Sequence, residues 1–161
     1  MAMTKFKLIA TICLVSSIAL VSSIDTFSVQ GRVYCDTCRV GFETNITEYI
    51  SGAKVKVECT HFTTNKVEHY NEGVTDSTGS YKINVVDDHE DEICEVVLVN
   101  SSLENCKEIE IGRDRAQVLL ANDGGISGKA RHANSLGFLR NEPLPSCAEL
   151  LKEYYGLGEE E

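Results

Sequence analysis

Apolar and polar positions alternate with a period of two along most of this chain, the pattern of strands that bury one face. Phe27, Val29, Gly31, Val33 and Cys35 alternate with Ser28, Gln30, Arg32, Tyr34 and Asp36. Ala53, Val55, Val57 and Cys59 alternate with Lys54, Lys56, Glu58 and Thr60, the cleanest run in the sequence. Val67 and Val74 mark a weaker strand between about residues 66 and 75. Tyr81, Ile83 and Val85 alternate with Ser80, Lys82 and Asn84, and residues 93–99 (ICEVVLV) form the nearly continuous apolar run of a central strand. Residues 106–111 and 116–121 complete the set. The segment TDSTGSY (75–81) carries the residues of a tight turn and predicts a hairpin between antiparallel strands. About seven short strands with turns between them predict an all-β domain, a single Greek-key-like β-sandwich or small barrel.

Two regions break the alternation. Residues 122–137 (NDGGISGKARHANSLG) hold four glycines and little periodicity, and read as a long loop. Pro145, Ser146 and Glu149 then announce a short C-terminal helix, with Ser146 and Glu149 spaced as a capping box. Cys147, Leu150, Leu151 and Tyr154 fall on one face of it. The acidic tail, residues 159–161, is expected to be disordered.

The N-terminus changes the setting of this domain. Lys5 and Lys7 precede an apolar or small stretch over residues 8–24, with Ser22 and Ser23 suited to cleavage. This is the layout of a signal peptide over residues 1–23, leaving a secreted domain over 24–158. Cys13 leaves with the leader, and six cysteines remain. No later segment is apolar enough to span a bilayer. The formal charge of −10 becomes −12 once Lys5 and Lys7 are lost. Such a surface repels nucleic acid and anionic lipid and favours solubility and cationic partners.

Cysteine chemistry follows from the compartment. Six thiols in an exported domain read as disulfide staples. A redox Cys-x-x-Cys needs a helix N-terminus within a βαβ unit, and here a strand precedes Cys35. A zinc site needs a second close ligand pair, and none follows. If the strand runs through Cys38, the odd offset points Cys35 and Cys38 to opposite faces, so they bond different partners. Spacing alone leaves 15 pairings of six cysteines open.

The stretch QGRVYCDTCR (30–39), followed by GFET (41–44), resembles the signature of the major olive pollen allergen family, the Ole e I-like secreted plant proteins. GAKVKVEC (52–59), TDSTGSYKINV (75–85), ARHANSLGFL (130–139) and the helix-borne Cys147 continue the likeness across the mature chain. The resemblance implies the bridges Cys35–Cys106, Cys38–Cys147 and Cys59–Cys94. It also implies a secreted, often glycosylated protein without enzymatic activity, linked to pollen hydration, germination and tube growth, with a cell-surface receptor or cell-wall component as partner.

Other sites carry less. The sequons at Asn45 and Asn100 are candidate glycan positions, although the site used in the family's name-giving member is not kept. The run DDHEDE (87–92) lacks the alternation and glycine of a calcium loop and reads as an acidic connection in water; it is the best place for a weak ion site or a basic partner. GISGK (125–129) fails as a phosphate loop, because Asp123 and Ala130 replace required residues. Four scattered histidines define no catalytic set. Arg131, His132 and Asn134 in the long loop, with Phe138, form a candidate partner-binding face, the alternative being a loop packed over the barrel end. No cofactor or metal is expected, and the protein is expected to be a monomer. The leading reading is an extracellular ligand or wall-associated factor; a secreted carbohydrate-active hydrolase and a small-ligand carrier are the alternatives.

Overall fold

Strand β1 (Thr26–Asp36) organises one of two sheets, because its two halves serve different ladders. This computed structural model describes residues 25–122 and 124–156; the leader over 1–23 and the tail over 159–161 lie outside them. The N-terminal half of β1 pairs antiparallel with β5 (Ser80–Val86) and parallel with β9 (Ala130–His132). The C-terminal half pairs antiparallel with β2 (Glu48–Tyr49) and parallel with β10 (Leu136–Arg140), which β7 (Cys106–Glu108) flanks. The second sheet has the order β4-β3-β6-β8, built from Val67–Val74, Lys54–His61, Glu92–Asn100 and Arg115–Val118. Helix α1 (Cys147–Tyr154) follows at the C-terminus.

The alternating residues meet between the sheets. Phe27, Val29, Val55, Val57, Val85, Val96, Leu120 and Phe138 are all buried in one core cluster. Each contributes roughly 1.5–3 kcal/mol by leaving water. Their polar neighbours Lys54, Lys82 and Asn84 face solvent, as the period-two reading requires.

Several expectations need correction. Ten strands form among the described residues rather than about seven, because β2, β7 and β9 are only two or three residues long and too short to show a period. The turn at 75–81 joins no hairpin: β4 lies in one sheet and β5 in the other, so the turn is a corner of the sandwich. Its geometry is as the composition suggests. The Asp76 carboxylate accepts from the backbone N–H of Thr78 (2.8 Å) and Ser80 (3.2 Å), and Gly79 sits at φ +71°. Thr75 anchors the corner, its hydroxyl donating to the Ile50 carbonyl at 2.5 Å and accepting from the Ala53 N–H at 2.9 Å.

The loop assigned to 122–137 holds β9 and the start of β10, both parallel to β1. Ser146 does not cap α1 through its side chain; it is itself helical, at φ −71° and ψ −13°. The entry to α1 is held instead by the Leu144 N–H donating to the Thr37 carbonyl at 3.0 Å and by the Cys147 bridge.

Candidate functional site

The Cys-x-x-Cys segment is a turn, not a strand. Strand β1 ends at Asp36, so the opposite-face argument for Cys35 and Cys38 loses its premise, although the two do bond different partners. Cys35 is the penultimate residue of the strand, buries its side chain in the core and bridges Cys106 on β7. Cys38 sits in the turn and bridges Cys147 on α1. Cys59 and Cys94 face each other across β3 and β6 and form the third bridge. The buried Asp36 between the first two shapes the turn: its carboxylate accepts from the backbone N–H of Cys38 (3.2 Å) and Gly41 (2.6 Å). Arg39 at φ +58° then reaches back, with two hydrogen bonds to Glu108 (2.7 and 2.8 Å) and one to the Arg140 carbonyl (2.5 Å). The Asp-Thr between the cysteines thus serves the turn, with Thr37 donating to the Ile46 carbonyl at 3.2 Å.

The proposed partner face is only partly a face. Arg131 and Phe138 are buried, while His132 and Asn134 are exposed. The Arg131 guanidinium donates to the carbonyls of Leu119 (2.6 Å), Gly128 (2.9 Å), Ala130 (3.1 Å) and Ala121 (3.1 Å), and it lies 4.8 Å from the Phe27 ring centroid. It is a structural clamp that satisfies loop carbonyls otherwise lost to the interior. Phe138 is core on β10. An arginine in a polar loop carries no local mark of burial, which is why the sequence suggested a surface role.

Both sequons are accessible. Asn45 is exposed in the turn before β2, and Asn100 is exposed at the end of β6.

The acidic run contains more than a solvated loop. Residues 87–91 cross the open end of the sandwich from β5 to β6. Within this crossing His89 is buried, its backbone N–H donating to the Leu120 carbonyl at 2.9 Å. Its Nε2 lies 2.9 Å from the Val86 carbonyl and its Nδ1 against a carboxylate oxygen of Glu92. The other Glu92 oxygen is 3.2 Å from Nδ1 of His69, on edge strand β4. Burial pushes the Glu92 carboxyl up, but hydrogen bonds from His89 and His69, with their positive charge, outweigh it and hold the group below the usual carboxylate range. His69 was not singled out from the sequence. It meets this group only because Cys59 pairs with His69 on one side of β3 and with Cys94 on the other.

These bridges and this filled core define a covalently braced β-sandwich of the kind suited to oxidising surroundings, with its polar chemistry at the ends of the sheets. Comparison with known proteins gives that class its lineage. Residues 25–155 match the family model described as "Pollen protein Ole e 1 like", and the chain belongs to that family. It is 51% identical over 154 residues to pollen-specific protein C13 of Zea mays, covering 94% of this chain and 91% of that one. It is 44% identical to anther-specific protein LAT52 of Solanum lycopersicum over 129 residues, or 80% of each chain. The crystal structure of the major plantain pollen allergen Pla l 1 superposes with a TM-score of 0.69 at 34% identity, covering 76% of this chain and all of that one. Among the described residues no helix is long and apolar enough to cross a membrane.

Proposed function

We propose that this protein is a secreted, non-enzymatic extracellular factor that binds a cell-surface receptor or a cell-wall component during pollen germination and tube growth. The observation that carries the reading is the family match over residues 25–155, with relatives named for pollen and anther at 44–51% identity. Three bridges and an apolar leader support export. Such a scaffold holds its loops and helix in fixed positions, so binding costs little ordering.

The test uses the mature, oxidised protein, labelled and applied to membrane and wall fractions from pollen tubes and from leaves. Saturable binding to the pollen-tube fraction, competed by unlabelled protein and lost on reduction of the bridges, is expected. Linear, uncompeted binding of equal size in both tissues would overturn the reading.

A further inference from the structure

The crossing at residues 87–91 covers a cavity of about 530 Å³, and every residue that lines it is a histidine, an aspartate or a glutamate. Neither Lys nor Arg is among them. Six carboxylates around three imidazoles make this a strongly cation-attracting pocket on an already acidic molecule.

His89 shows where a cation would sit. Its Nε2 is 2.9 Å from the Val86 carbonyl, which can only accept, so Nε2 carries the hydrogen. That arrangement, a ring N–H given to a backbone carbonyl, is the one that fixes the tautomer and orientation of metal-bound histidines. It leaves Nδ1 as the ring nitrogen turned toward a Glu92 oxygen, the position at which a metal ion can take the place of a proton. Here a second imidazole nitrogen, Nδ1 of His69, stands 3.2 Å from the other oxygen of the same carboxylate. The side chains of His89 and Glu92 are 3% and 8% exposed, and that of His69 is 58% exposed, so the group is walled on the inside and open on one side.

The residues beside the cluster are equally specific. The sulfurs of Cys59 and Cys94 lie with the His89 and Glu92 ligand atoms within 4.8 Å of one another. Both are committed to their bridge and supply no thiolate ligand. The bridge instead locks β3 to β6 at the level of the cluster, where Cys94 lies two residues from Glu92. Two imidazoles with one carboxylate and an open side suit a borderline divalent ion such as zinc, with solvent completing the shell, and not calcium, which takes six to eight oxygens. We infer that His69, His89 and Glu92 bind a divalent transition-metal ion of the zinc class at the open end of the sandwich.

Calorimetric titration of the mature, bridged protein with zinc chloride tests this, with calcium chloride in parallel. Saturable 1:1 zinc binding is expected, at least tenfold weaker in His69→Ala and absent in His89→Gln and Glu92→Gln. His69 is exposed, so His69→Ala keeps its fold and its result stands even if the buried variants do not fold. Histidine ring 15N shifts should move for His69 and His89 on adding zinc, with His132 as the unmoved control. Failure of zinc to bind would overturn the inference, leaving only a proton between His89 and Glu92. So would zinc binding unchanged in His69→Ala, or calcium binding of equal strength, either of which would assign the cation to the acidic rim.

Discussion

Asp114 shows how one carboxylate ties stability to pH. It is buried beside Arg115, whose guanidinium it accepts at 3.2 Å, and it also accepts from the Gly112 N–H at 2.9 Å. Burial pushes its carboxyl up, but the hydrogen bonds from Arg115 and the backbone, with the Arg115 charge, hold it below the ordinary value. A carboxyl lowered on folding stabilises the native state in full above its unfolded value and loses that contribution as pH falls through the folded value. Asp114→Asn should therefore be less stable than the parent at neutral pH. The gap should begin to narrow below about pH 4, where the carboxylate of the unfolded chain takes up its proton, and should close as pH falls through the lower value of the folded carboxyl. Urea unfolding at a series of pH values measures it, and a gap independent of pH would refute the assignment. Gly31 illustrates a steric constraint. Opposite it on β5, the Tyr81 ring lies across the glycine, and a Cβ would stand 2.2 Å from the Tyr81 hydroxyl. Gly31→Ala must push a buried ring aside and should cost about 1–3 kcal/mol, read as a lowered urea midpoint at constant m value.

At the scale of elements, α1 is the piece most dependent on covalent support. Cys147 is its only buried residue, and Leu150 and Leu151 are half-buried. Eight residues are too few for a helix to persist alone in water. Removing the Cys38–Cys147 bridge by replacing both residues with alanine should free α1. Amide exchange across Cys147–Tyr154 should rise sharply while the β3–β6 ladder stays protected. Equal protection in the variant and the parent would show that packing alone holds the helix. The capping-box spacing of Ser146 and Glu149 located this helix correctly in the sequence, yet its start is set by the bridge and by Thr37, a residue more than a hundred positions away. The corner at 75–81 teaches the same lesson. Its turn chemistry was legible, but whether β4 and β5 share a sheet is decided by their other neighbours, β3 and β1.

Across the whole molecule, the three bridges close loops of 35, 71 and 109 residues. In the chain-entropy model these are worth about 4, 4 and 5 kcal/mol, close enough that position matters more than length. Cys59–Cys94 joins strands already paired along eight register positions. Its replacement by two alanines should lower the melting temperature while leaving the circular dichroism spectrum intact below the transition. A spectrum that loses its strand signal at low temperature would show the second sheet to depend on the bridge for its formation.

What the sequence by itself determined is what repeats locally or is written in residue type: the alternating strands, the terminal helix, the acidic balance, the six cysteines and the motif run of the Ole e 1-like family. Tertiary structure alone decided which strands pair and what that pairing buries. Parallel pairing sets β1 beside β9 and β10, about a hundred residues on, and thereby draws Arg131 and Phe138 inward. The β4–β3–β6 register brings His69 to Glu92 across 23 positions. The reason is physical: periodicity reports which face of one strand is apolar, whereas register is chosen by the summed contacts of strands far apart in the chain.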